Sequence, residues 1–483
     1  MIGRFFKYLL PILPLVLSGC ATNPVSGDRE FVTVSESQEI DQGRKFHQTI
    51  IKQYGVYDDP DLQSYVEAIG QQLAANSHRA HLQFYFTILD SPDINAFALP
   101  GGYIYITRGI MAYLENEAEL AGVLGHEIGH VTARHSVRQQ SGQFASGLLN
   151  ILISTTTGSS TLAQLGDQLS TGIIRGYGRK HELEADRLGA EYLHKSAYNP
   201  EAMLDVIAVL KDQELYETAL AKKQNRQPRI YHGVFSTHPK NDDRLKTVVR
   251  AAKNLPPVQY QGDNQAAYLN SIDGMTWGQN TDQGVVSRGR FLHAELAISL
   301  QFPVDWLISN NPRRLLARDP DTGALAQVSL KTLNKNETPG AILKRLTKDS
   351  ELTVEQLAYG ATARTEANIE GGSQPARVSA IKLDENQVLF IAGTSAREHF
   401  AATNLQLLAI NASFTRLSEE QVKNIKFPVL KIVETESGDS FASLATGSAI
   451  NHEAEDILRL LNRAFPDGTI VTSQKLKVIE LTN

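Results

Sequence analysis

Apolar positions recur at helical spacing through most of residues 46–255 and switch to strand-like alternation in two patches, Leu82–Ile88 and Tyr103–Thr107. A helix-rich domain holding a small sheet is the expectation there. The run LPPVQYQGDNQ, beginning at Leu255, gathers Pro, Gly, Gln and Asn and predicts a linker over 256–284. Beyond it, alternation such as Ala326-Gln327-Val328-Ser329-Leu330 is interleaved with helical runs such as Ala341–Leu346 and Phe400–Leu408. That mixture predicts a small α+β domain over 285–417 with no visible chemistry. The last stretch, 428–482, reads strand, helix, helix, strand: Leu430–Val433, Ser437–Ala445, Leu460–Asn462 and Gln474–Val478. The expected fold class is α+β and multidomain.

The first residues follow another pattern. Two cations, Arg4 and Lys7, precede an apolar run from Tyr8 to Leu17 and small residues before Cys20. The run is too short to span a bilayer as a stable helix and predicts a secretory leader over 1–19. Leu17-Ser18-Gly19-Cys20 resembles the bacterial lipoprotein signal, in which the cysteine is acylated and becomes the N-terminus; the other reading is an ordinary leader with an incidental cysteine. Cys20 is the sole cysteine, so it has no intramolecular disulfide partner. In lipoproteins of this kind a residue other than Asp after the cysteine favours the outer membrane, and Ala21 stands there. The expectations are lipidation at Cys20, a polar tether over 20–45 and a periplasmic-facing, membrane-tethered protein. Charge adds an exclusion. The net charge of −6 becomes −8 without the leader, which carries off Arg4 and Lys7 and no acid. With no basic tract, nothing draws nucleic acid.

Candidate chemistry begins at LGHEIGHVTARHS, residues 124–136. Asn116 is placed to cap a helix, with Glu119 reaching back to its amide, and Leu120, Val123, Leu124 and Val131 follow at helical spacing. With His126 at zero, His130 falls at about 40° and Glu127 at about 100° on the wheel. Two imidazoles on adjacent turns can share one ion, and Glu127 flanks them as a base that takes a proton from water. The expectation is one Zn2+ per chain on His126 and His130; the bland alternative is a helix with two solvated histidines. His135 falls at about 180° on the same wheel, which assigns it to packing or to a supporting position rather than to the ligands.

Catalytic zinc takes three protein ligands and leaves one position open, so a third must come from elsewhere. In KHELEADRLGAEYL, residues 180–193, Glu182 and Asp186 share the apolar face while Glu184 falls on the watery side. Two carboxylates in a buried face need compensation, from a dication or from Arg or Lys of another segment. Glu182 is the candidate third ligand, and Asp186, one turn on, is placed to orient a ligand histidine. The pair of motifs, His126-Glu127-x-x-His130 and Glu182-x-x-x-Asp186 52 positions after His130, resembles the zinc peptidase family of the CAAX prenyl protease, HtpX and BepA. The resemblance covers about 46–255 and implies a zincin-like domain of the gluzincin type. It implies zinc on His126, His130 and Glu182, with Glu127 as base and Asp186 behind the ligands. The chain departs from the family's membrane-embedded members, since it has no spanning helices, and from BepA-like proteins in lacking their helical repeats.

The same resemblance bears on the surroundings. Asn95, Gly101 and Gly102 introduce the strand Tyr103–Thr107, which in such proteins edges the cleft and can pair with an extended substrate; by itself the segment is a strand with a tight entry. Ser236-Thr237-His238-Pro239, followed by Arg244, resembles a family segment over the metal. There His238 would occupy the open position as a regulator and Arg244 would stabilise an oxyanion; the plain reading is a loop. The Gly/Ser/Thr-rich stretch 141–176 reads as a cover on the cleft or as a loop and short helix. Residues 428–482 resemble a LysM-type module, with Ser473 where glycine is usual, and either bind peptidoglycan or pack on neighbouring segments. The expected function is a zinc endopeptidase anchored in the outer membrane that acts on protein or peptide substrates, unfolded or misassembled envelope proteins above all. A non-enzymatic envelope assembly factor or chaperone, and a peptidoglycan-binding lipoprotein, are the competing classes.

Overall fold

The computed structural model describes residues 20–139, 178–228, 255–279 and 284–482, apart from positions 33, 225, 288, 312–313, 370–371 and 451. The leader stretch 1–19, the stretch 141–176, His238 and Arg244 lie outside the described residues. Two units are present, Met1–Met275 with Leu430–Glu480, and Thr276–Val429 with Leu481–Asn483.

In the first unit the strands β1 (Cys20–Thr22) and β2 (Arg29–Phe31) pair antiparallel and lead to helix α1 (Glu36–Tyr54). Ser35 Oγ accepts from the Gln38 amide while Gln38 Oε1 accepts from the Ser35 amide, a capping box that starts α1 inside the stretch expected as a tether. That stretch looks polar partly because Glu39 is an inward-facing acid. It is 1 % exposed and accepts Arg79 Nη1 at 2.8 Å and Arg134 Nε at 2.9 Å. Helix α2 (Pro60–Ala75) follows, capped by Asp59 with proline at its first position.

Three strands then form one sheet: β3 (Tyr85–Leu89), β4 (Ala96–Leu99) and β5 (Tyr103–Thr107). β5 is central, parallel to β3 and antiparallel to β4, and all five of its residues are buried. The strand expected to edge the cleft is therefore paired on both sides; β3 and β4 are the two edges among the described residues. Gly101 and Gly102 turn the chain between β4 and β5 at φ +79° and +95°. A side chain on Gly102 would lie 2.3 Å from the Gln83 carbonyl oxygen, and one on Gly101 2.6 Å from the Ile40 backbone. Both glycines serve close packing.

After α3 (Arg108–Tyr113) comes α4 (Glu117–Thr132), the helix that carries the H-E-x-x-H motif. Asn116 Oδ1 accepts from the Glu119 amide at 2.9 Å, as the sequence leads one to expect. The Glu119 carboxylate accepts from the amide of Glu115 at 2.8 Å, one residue further back than in a capping box. Asn116→Ala should cost about 1 kcal/mol, read as a fall of a few degrees in the unfolding midpoint of this unit; no shift would mean that Glu119 alone secures the helix start.

All residues of α4 except His126 are buried, so the helix is enclosed rather than simply amphipathic. Small residues make this possible. Helix α5 (Arg179–Lys195) crosses α4 where Gly125 and Gly129 meet Ala185, Gly189 and Leu193; a Cβ on Gly129 would come 2.8 Å from the Ala185 oxygen. Helix α6 (Ala202–Lys223) adds Met203 against Gly122. At the far end, Arg134 adopts the left-handed conformation (φ 54°), Arg79 Nη1 donates to the Val131 oxygen at 3.0 Å, and residues 135–139 turn helical again in a new direction.

Strand Pro428–Glu434, helix Phe441–Gly447, helix Ala454–Leu461 and strand Lys475–Leu481 follow one another near the C-terminus, the two strands paired. Residues 430–480 of this segment belong to the first unit.

The second unit is built on a seven-stranded antiparallel sheet with Gln387–Thr394 in the middle. Alternation sends Leu389 and Ile391 to one face, with Leu407 and Ile410 of helix Phe400–Ala412. Val388 goes to the other, with Ile342 and Leu343 of helix Pro339–Thr347. A sheet buried on both faces is why this stretch shows core and little chemistry.

Candidate metal centre

The α4–α5 crossing brings together residues 52 positions apart in sequence. His126 and His130 stand one turn apart on α4, with their Nε2 atoms 3.0 Å from each other. Glu182, in the first turn of α5, places one carboxylate oxygen 3.5 Å from His130 Nε2 and the other 3.7 Å from His126 Nε2. Glu182 is 0 % exposed and His130 1 %, while His126 keeps 11 % of its side chain open.

These spacings can be tested against an ion. Donors about 2.0–2.1 Å from a tetrahedral Zn2+ stand roughly 3.3–3.5 Å from one another. The three observed separations bracket that value, and the donor set of two imidazoles and one carboxylate suits zinc. Among the described residues, His126, His130 and Glu182 form the one group of three or more such side chains close enough to share an ion.

Asp186 Oδ1 lies 2.8 Å from His126 Nδ1. That contact puts a proton on Nδ1 and leaves the Nε2 lone pair facing Glu182 and His130. Glu127 is 2 % exposed and sits between the two histidines in sequence. Asn95 stands at the head of β4, its backbone tied to Thr107 by bonds in both directions.

Glu184 is placed differently from the sequence expectation, and His135 takes a supporting position, one of the two expected for it, by a route that the wheel does not show. The wheel puts His135 on the far side of α4, yet its Nδ1 is 2.8 Å from Nδ1 of His130, because the left-handed turn at Arg134 ends the helix and swings the next one back. Glu184, expected to face water, accepts His135 Nε2 at 3.1 Å and Arg138 Nη1 at 2.8 Å. Burial pushes the Glu184 carboxyl up, but these two hydrogen bonds outweigh it and hold it at about 2. Burial pushes the His135 imidazole down. His181, stacked on His135 with ring centroids 4.4 Å apart, is pushed down to about 4, by burial first and by His135 second.

Both ends of α4 are anchored by groups that the local sequence does not advertise. At its start, Arg463 Nη2 reaches Glu119 at 2.7 Å, and Lys477 Nζ meets Glu115 at 2.7 Å and the Leu114 oxygen at 2.9 Å. Tyr65, Tyr198 and Asn264 all donate to Glu117. At its end stand Arg79, Glu39 and Arg134. No helix among the described residues is long and apolar enough to cross a membrane.

Residues 60–252 match Peptidase family M48. The chain is 29 % identical over 282 residues to the beta-barrel assembly-enhancing protease of Escherichia coli (strain K12), covering 56 % of this chain and 55 % of that one. It is 31 % identical over 244 residues to the beta-barrel assembly-enhancing protease of Yersinia pestis, covering 48 % of each. The mitochondrial metalloendopeptidase OMA1 of Schizosaccharomyces pombe is 26 % identical over 249 residues, which cover 51 % of this chain and 69 % of that protein. The chain thus spans about half the length of the bacterial relatives.

Proposed function

We propose that this chain, whose residues 60–252 match Peptidase family M48, is a zinc-dependent endopeptidase that cleaves unfolded or misassembled proteins of the bacterial envelope. The observation that carries the reading is the spacing of three buried donors, His126, His130 and Glu182, at 3.0–3.7 Å from one another. When bound, the ion supplies Lewis-acid polarisation of the scissile carbonyl and makes water easier to deprotonate. The protein's own groups do the rest. Glu127 takes the proton of the attacking water and passes it to the leaving amine. Asp186 holds His126 in the tautomer that offers Nε2 inward. An extended substrate adds along the free edge of β4, where main-chain hydrogen bonds demand little of its sequence.

The envelope assignment rests on two supports. The bacterial relatives are named for β-barrel assembly, and the N-terminal residues have the form of a lipoprotein signal ending at Cys20. Tethering through an acyl group on Cys20, at the periplasmic face of the outer membrane, follows from these. His238 and Arg244 keep the roles that the family resemblance implies, a gate at the open position and an oxyanion donor.

The purified mature chain should carry one zinc, measured by elemental analysis, and cleave an unfolded protein such as casein. Dialysis against a chelator should remove both, and added zinc should restore both. A chain that takes up zinc but cleaves nothing, or that cleaves equally without metal, would overturn the reading.

A further inference from the structure

His135 is fully buried, yet it is wired at both ring nitrogens: Nδ1 is 2.8 Å from His130 Nδ1 and Nε2 is 3.1 Å from Glu184 Oε2. Proton placement along this chain follows from the metal reading, on which the inference rests. If His130 offers the Nε2 lone pair to an ion, its proton sits on Nδ1, and that N–H must donate to His135 Nδ1. His135 then carries its own proton on Nε2, where the Glu184 carboxylate accepts it. Arg138 Nη1, 2.8 Å from the same oxygen, holds Glu184 in place and ionised. Along this line no two protons point at each other. The opposite assignment, with His135 donating to His130 Nδ1, would put the His130 proton on Nε2, between His126 and Glu182.

We propose that His135 is a positioning residue for the metal ligand His130, fixing its tautomer and ring angle through a line that ends on Glu184 and Arg138. On the other ligand, Asp186 does the same for His126 directly. The two devices differ in a way that suits their places. His126 borders the open side and is held by a carboxylate. His130 is sealed in, and the His135 ring stands between it and the charge of Glu184. The left-handed turn at Arg134 is what swings His135 into reach.

Loss of a group that orients a ligand histidine weakens metal binding by about 10–100-fold. Zinc affinity, measured by competition with a chromophoric chelator on the full mature chain, should fall by that factor in His135→Leu. In His135→Asn, whose Oδ1 falls where Nδ1 stood and still accepts from His130, the loss should stay under about threefold. The visible absorption of the cobalt-loaded chain should shift in the Leu variant and match wild type in the Asn variant. If His135→Leu does not fold, Glu184→Ala carries the test at the outer end of the line, with an expected loss of about threefold to tenfold. Unchanged zinc affinity in His135→Leu, or in Glu184→Ala where that variant must stand in, overturns the proposal. So does an equal loss in His135→Leu and His135→Asn, which would make the residue one of packing alone. A wild-type chain that binds no zinc would instead bring down the metal reading itself, so the two failures are distinct.

Discussion

Glu127→Gln is expected to reduce cleavage of an unfolded protein by about 10²–10⁴-fold, the range that a positioned general base contributes, while zinc content stays at one per chain. Glutamine keeps the size and shape of the side chain and loses only its capacity to take up a proton. The three donors that define the centre do not include Glu127, so the site should load as before. Glu127 is nearly sealed from solvent, 2 % exposed, so bulk buffer is poorly placed to replace it. The measurement is the initial rate of casein cleavage beside elemental analysis of the same preparation. A variant that cleaves at the wild-type rate removes Glu127 from the chemistry. A variant that is inactive yet fully replaces wild type in a deletion strain would move the chain to the class of non-enzymatic assembly factors.

How much of this was legible in the sequence depends on the range of the contacts involved. His126, His130, Glu182 and Asp186 sit within two helices, and the 3.6-residue period places each on its buried face without knowledge of anything else. The same period misled at His135 and Glu184. The wheel assumes an unbroken helix, and Arg134, a non-glycine residue with φ 54°, breaks it one residue before the histidine. Nothing local marks that break; it is held by Glu39 and the Val34 oxygen, 95 and 100 residues earlier. The start of α1 was missed for a related reason, because Glu39 counts as polar in the pattern while the fold buries it between two arginines. Register was the other blind spot. Alternation identified Tyr103–Thr107 as a strand, but whether a strand is an edge or a centre is decided by its neighbours, and β3 and β4 cover both sides of it.

Lys477→Met tests the longest-range of these contacts and should destabilise the first unit by about 2–3 kcal/mol. Lys477 is 1 % exposed and its ammonium bridges the Glu115 carboxylate and the Leu114 oxygen, immediately before the Asn116 cap of α4. Burial pushes its pKa down, and the pull of Glu115 works against that, so the charged form depends on its partner. Methionine fills nearly the same space, which confines the loss to the charge and its hydrogen bonds. Removing one partner of a buried pair costs about 3–5 kcal/mol, and the loss here is smaller because Glu115 is 20 % exposed and water can reach it. The chain has two units, so the transition to follow is the one that zinc raises, since a ligand stabilises only what it binds. Its midpoint should fall by roughly 5–10 °C. Adding Glu115→Gln should recover part of the loss, because a neutral amide tolerates the site better than an unpaired carboxylate. Lys223→Ala, which removes the exposed pair to Glu453, should leave the same midpoint where it was. An unchanged midpoint in Lys477→Met would mean that the Lys477 contact contributes nothing to holding the metal helix.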